Sequence, residues 1–159
     1  MAIEVVNRQR LCAIERSQVE GVARATLAAI GRASCSLTIA FVRDRAIRAL
    51  NRTYRGKDRA TDVLSFPATD AQIESTIGAM ARFLGDIVIA TDTASAQAET
   101  ARHSFAREVS ELVIHGALHL CGYDHETDNG EMNRLERRLR RKLLDRLQGT
   151  GYREQGRRR

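Results

Sequence analysis

Tryptophan is absent from this 159-residue chain, and only three tyrosines and four phenylalanines occur. So few aromatic rings argue against a base-stacking platform for nucleic acid. Cysteine occurs three times, at Cys12, Cys35 and Cys121, with no C-x-x-C pair. That pattern excludes a disulfide framework and a cysteine-based zinc site. No apolar run approaches the ~18 residues of a membrane span. The segment from Met1 to Leu11 alternates polar and apolar residues and carries Glu4. It lacks the basic start and apolar stretch of a secretory signal, so a cytoplasmic location is expected. Proline occurs once, at Pro67. There are no internal repeats and no interdomain linker.

What is present fits one domain with a buried core. Residues 1–127 hold 15 basic and 15 acidic residues, whereas residues 128–159 hold 11 basic and 5 acidic. The net +6 therefore belongs wholly to the C-terminal segment. A basic half-domain suits an anionic partner such as RNA, although a solvated helix face with a basic tail would look the same. With few aromatics, phosphates would supply most of the attraction.

The hydrophobic pattern predicts an α+β fold, a small mixed sheet packed with helices. Strands are expected at Ile3 to Val6, Leu37 to Val42, Asp62 to Phe66 and Gly85 to Ala90. Ser17 and Glu20 form a capping box for a helix running to about Gly31. Asp44 is expected to N-cap a helix from Arg45 to about Tyr54, with Ile47, Leu50 and Tyr54 turned inward. Ala68 to Phe83 shows no period and reads as a loop. Helices are expected over Thr91 to Arg102, His103 to Cys121, and Asp128 to Leu147 with Gly149 as its stop. A single domain should span residues 1–149, followed by a mobile basic tail over 150–159.

Three of the four histidines fall within 11 residues, in the pattern His115-x3-His119-x2-Gly122-x2-His125. Residues i and i+4 share a helix face, so His115 and His119 can meet one ion. Gly122 permits the left-handed turn that would bring His125 back as a third ligand. Three neutral imidazoles leave a fourth position open, the arrangement of a catalytic zinc. Cys121 lies off the histidine face. The spacing equals that of metzincin proteases, whose glutamate base follows the first histidine. Here that position is Gly116, which argues against peptidase chemistry. Asp124 could polarise a bound water or orient a histidine. Glu111, one turn before His115, is either a partner for a ligand imidazole or a solvent-facing residue. His103 reads as a surface residue.

Between Arg43 and Arg59 lie seven basic and two acidic residues. Arg45, Arg48, Arg52 and Arg55 fall opposite the apolar stripe. Arg45 and Arg48 read as solvated. Arg55 stands at the helix end before Gly56, where a turn could hold its guanidinium beside the metal and clamp a phosphate.

Three blocks of sequence resemble the YbeY family of bacterial metal-dependent endoribonucleases. The first runs from Leu50 to Asp58 and continues through Thr61 to Pro67. The second is Leu84-Gly85-Asp86-Ile87-Val88-Ile89, and the third is the histidine block through Gly122-Tyr123-Asp124-His125. Ala60 stands where the family often has proline, and Cys121 where it often has leucine. The resemblance implies one zinc at His115, His119 and His125 and a functional arginine at Arg55. It implies cleavage of single-stranded RNA, maturation of the small-subunit rRNA 3′ end and ribosome quality control. Implied partners are the small ribosomal subunit and the GTPase Era, with neither membrane nor DNA. Two other readings compete: a ribosome assembly factor whose metal is mainly structural, and a metallohydrolase of protein or small molecules.

Overall fold

β-branched and aliphatic runs build the sheet. In the computed structural model, which describes residues 3–75 and 82–145, the strands are β1 (Ile3–Asn7), β2 (Ser36–Val42), β3 (Val63–Pro67) and β4 (Phe83–Ala90). Their order is β1-β2-β4-β3. β1 and β4 both run parallel to β2, pairing Ile3 with Leu37 and Ile39 with Ile87. β3 joins β4 antiparallel, with Ser65 opposite Ile87. The sheet is therefore mixed, and β3 is an edge strand. Side chains alternate between faces, as the pleat requires. Leu37, Ile39, Phe41, Ile87 and Ile89 join the large core. Val88 and Ala90 turn to the other face, against Ile47.

The helices among the described residues are α1 (Arg16–Ala29), α2 (Asp44–Arg55), α3 (Asp70–Ser75), α4 (Thr91–Ala101), α5 (Phe105–Leu120) and α6 (Glu131–Leu139). α6 continues as a π-helical turn over Arg140–Asp145. α1 and α5 supply Val19, Val22, Leu27, Val113, Ile114 and Leu118 to the large core. α2 covers the opposite face with Ile47 fully buried and Leu50 half-buried. The α+β class and its mixed sheet are as the sequence pattern predicts.

Several local expectations are overturned. Ser17 does not cap α1: the helix starts one residue earlier, without a side-chain cap. Its start is anchored instead by Arg16 Nη1, which donates to Val5 O at 2.7 Å. Asp44 is the first residue of α2 rather than its N-cap. Its carboxylate accepts from Thr93 N and Oγ1 in α4, and Asp92 in α4 accepts from Asp44 N. Two helix starts thus exchange caps, each satisfying an orphan donor of the other. Tyr54 does not point inward; it is 65% exposed. The expected loop of Ala68 to Phe83 contains α3 and ends as β4 begins at Phe83. Thr69 and Gln72 exchange hydrogen bonds there as a capping box. The last helix begins at Glu131, with Asp128 outside it accepting from Gly130 N just before the helix and from Met132 N in its first turn. Gly149 and the tail of residues 150–159 lie outside the described residues.

Candidate metal centre

α5 presents His115 and His119 one turn apart, at the helix end nearest β3. The helix stops by a Schellman arrangement: Tyr123 N donates to Leu118 O at 3.1 Å, and Gly122 N to His119 O at 3.0 Å. Gly122 adopts φ 92°, a conformation that glycine alone takes without strain. The chain folds back there, as its sequence predicts, and His125 arrives beside the other two. Ring centroids lie 4.6 Å apart for His115 and His119, 5.8 Å for His115 and His125, and 5.5 Å for His119 and His125. One nitrogen from each ring falls within 4.8 Å of the others. His115 Nε2 and His119 Nε2 face each other at 3.0 Å. A tetrahedral zinc bonded at ~2.0–2.1 Å holds its nitrogens roughly 3.3 Å apart, so the spacing is of the right size for such an ion.

Protonation favours the same use. Burial, then the charges of His115 and His125, push the His119 pKa below the ordinary imidazole range. The ring is thereby kept in the neutral form that ligates metal. His115 turns Nδ1 to Glu136 on α6, leaving Nε2 for the centre. Glu136 is buried. Burial pushes its pKa up, but the His115 hydrogen bond and the charges of His115, Arg140 and His119 outweigh it and hold the carboxyl low. A carboxylate on the far nitrogen fixes a ligand's tautomer and orientation. Sequence reading missed Glu136, which lies 21 residues from His115. The only local signal is that it shares with Met132 and Leu139 the buried stripe of α6.

Other expected residues divide. Glu111 is partly exposed and makes no hydrogen bond to a histidine ligand among the described residues; it pairs with Arg107 at 3.0 Å and stands 4.0 Å from Arg140. His103 bonds Glu108 at 2.5 Å beside it, away from the histidine centre. Cys121 packs against the large core, off the histidine face. Asp124 lines the groove, and its Oδ1 accepts Glu126 N at 3.0 Å, which fixes the turn around His125. Arg48 is not free: it forms a two-pronged pair with Asp58. Arg45 is exposed.

The histidines floor a groove of about 480 Å³, and Arg55 stands on its wall. α2 ends there because Gly56 takes φ 68° and closes the helix on Asn51 O. Arg55 then reaches across the sheet edge, donating from Nη2 to Ser65 O at 2.7 Å. Ser65 in turn donates from Oγ to Gly116 O at 3.2 Å, tying β3 to the metal-bearing helix. Gly116 itself faces the sheet. A Cβ there would lie 2.8 Å from Ile87 Cγ2. The position that bears the base in metzincins is thus filled by a core contact.

The sequence profile of the Endoribonuclease YbeY family matches residues 4–147. The chain belongs to that family. An Endoribonuclease YbeY of Anaeromyxobacter sp. (strain Fw109-5) is 46% identical over 136 residues, covering 84% of this chain and 67% of the relative. Those of Aquifex aeolicus (strain VF5) and Desulforamulus reducens are each 40% identical. The first alignment covers 84% of this chain and 85% of the relative, the second 92% and 97%. A Thermotoga maritima protein of known solution structure shares the fold with a TM-score of 0.62, at 24% identity and 93% coverage of both chains. All three blocks that carry the YbeY resemblance lie inside the matched span. Among the described residues of this YbeY member, no helix is long and apolar enough to cross a membrane.

Proposed function

We propose that this YbeY family member is a cytoplasmic, zinc-dependent endoribonuclease that cuts single-stranded RNA in maturing the small-subunit rRNA 3′ end. The observation that carries the reading is the convergence of three imidazole nitrogens on the floor of a groove walled by Arg55. An all-nitrogen set of three ligands suits zinc and leaves one position open. Zinc, when bound, supplies Lewis acidity and a water of lowered pKa. His115, His119 and His125 would hold it, and Glu136 would keep the His115 proton on Nδ1. Arg55 offers a fork to a phosphate in the groove while the Ser65 carbonyl holds its Nη2 in place. Charge that grows on the phosphate oxygens as the P–O bond breaks is met by that cation. Asp124 supplies a carboxylate at the same wall. Era and the small ribosomal subunit are the partners this reading carries. A peptidase is disfavoured, since the position after His115, where metzincins carry their glutamate base, is Gly116 and packs on Ile87.

The test is cleavage of a labelled single-stranded fragment from the small-subunit rRNA 3′ end. Cleavage should stop with chelator and return with zinc, and elemental analysis should find one zinc per chain. Replacing both His115 and His119 by alanine should abolish metal and cleavage together. A double variant retaining wild-type metal would overturn the metal assignment. Cleavage that continues in chelator would overturn the proposed chemistry.

A further inference from the structure

We propose that Tyr54 and Phe66 form a nucleobase-stacking shelf at the rim of the groove, seating a base of the single strand whose phosphate Arg55 holds. The proposal rests on the RNA reading above and deepens it, and it reverses the expectation, drawn from so few aromatic rings, that no base stacks here: the Tyr54–Phe66 pair brings two of them together. Its starting point is a misplaced residue. Helical periodicity sends Tyr54 inward with Ile47, yet the residue is 65% exposed while Ile47 is fully buried. Strand order explains the difference. β3 is the sheet's edge, so the last turn of α2 overhangs it and finds no further strand beneath.

What the ring does meet is Phe66. The centroids are 5.4 Å apart and the planes cross at 73°, an edge-to-face contact, and the 65% exposure of Tyr54 leaves much of the residue open to a further ring. Phe66 is half-buried, rooted in the smaller core with Leu64 and Val88, so the shelf has a rigid base. The Arg55 guanidinium carbon lies 5.8 Å from the same Phe66 ring, and Arg55 is the residue that crosses the edge into the metal groove. One cation thus adjoins the aromatic pair on one side and the histidine centre on the other. Flanking it, Arg52 and Lys57 are exposed, and their side chains make no hydrogen bond or ion pair among the described residues. An exposed aromatic ring amid cations that form no ion pair among the described residues matches a nucleotide, with a planar base and an anionic phosphate, better than any apolar partner. It also accounts for single-strand preference, because a base must leave its helix to lie on the shelf.

The experiment uses the zinc-loaded full chain and a short 2′-O-methyl phosphorothioate single strand carrying one 2-aminopurine, whose fluorescence falls when it stacks. Wild type should quench the probe, with 2-aminopurine scanned along the strand to find the seated position. Tyr54→Ala should lose the quench and bind about 5- to 150-fold more weakly, the range for one lost base stack. Tyr54→Phe and Tyr54→Trp should keep both properties. On a strand with an abasic site at the seated position, wild type and Tyr54→Ala should bind alike. Quenching and affinity unchanged in Tyr54→Ala, in a wild type that cuts RNA, would overturn the shelf and leave the endoribonuclease reading standing. An equal loss on the abasic strand would also overturn it, by assigning Tyr54 a structural role. A wild type that neither binds the strand nor cuts RNA would overturn both.

Discussion

Arg55 is a single side chain asked to do two things, attract a phosphate and stabilise charge as it develops. The two separate experimentally. If the guanidinium acts on the breaking bond, Arg55→Ala should slow single-turnover cleavage by about 10²–10³ at saturating enzyme, by analogy with other preorganised donors. Its zinc content should match wild type. Arg45→Ala is the control, because Arg45 is exposed on the same helix with no part in the groove; its rate should hold. Arg48 is unsuited to that purpose, since its loss would strand Asp58. An Arg55→Ala enzyme cutting at the wild-type rate would reduce the residue to a binding contact. Glu136 makes a separate claim. It touches His115 Nδ1, so Glu136→Ala should weaken zinc binding by about 10–100-fold, measured by competition with a chromophoric chelator. Glu136→Gln keeps an acceptor and should fall between the two. Wild-type affinity in the alanine variant would show that His115 needs no such support.

Between elements, the decisive contacts are the exchanged caps of α2 and α4 and the close approach of α5 to β4. Asp92 accepts from Asp44 N and grips Arg43 Nε through both carboxylate oxygens. The Arg43 hydrogen bond, first among several causes, lowers the Asp92 pKa. Because the folded value lies below the unfolded one, the unfolded chain takes up the proton first as pH falls. The stabilisation is therefore complete above about pH 3.9 and lost as pH drops through the folded value. Asp92→Ala should cost about 0.5–2 kcal/mol at neutral pH, as lost caps do. The gap from wild type should close in acid, read from urea unfolding across pH. A gap independent of pH would place the effect elsewhere. At Gly116 the neighbour is buried Ile87, with three of its atoms within 3.1 Å of where a Cβ would stand. Overpacking costs about 1–3 kcal/mol, and alanine's better helix propensity returns up to ~1. Gly116→Ala should thus lose up to ~2 kcal/mol, seen as a lower thermal midpoint; an unchanged midpoint would show that Ile87 yields freely.

At the scale of the whole molecule, charge is divided. The excess of basic residues sits after residue 127, where Arg134, Arg137, Arg138, Arg141 and Lys142 are exposed on α6 and the π-turn. The histidine groove and Arg55 lie at the end of α5 and the edge of the sheet. A strand held at both places should bind with log affinity falling linearly in log salt, by about 0.7 for each phosphate contacted. Replacing Arg137 and Arg138 together by glutamine should make that slope shallower without changing the zinc content. Equal slopes for wild type and variant would show that the C-terminal cations do not meet RNA.

The sequence alone determined whatever depends on neighbours a few residues away. Two histidines at i and i+4, a glycine that ends their helix, and a third histidine just beyond the turn are local facts. So are the four strands and the helix end at Gly56. Tertiary structure decided what depends on distant partners. The carboxylate behind His115 comes from 21 residues along the chain, and periodicity could only mark Glu136 as buried, not name its partner. Asp44 looked like a cap for its own helix because propensity is read locally; packing gave it another helix's donors instead. Tyr54 kept the right angle on its wheel but lost its burial, since a wheel has no knowledge that β3 is the last strand. Angle around a helix is set by backbone geometry. Whether that angle meets protein or solvent is set by the order in which strands pair.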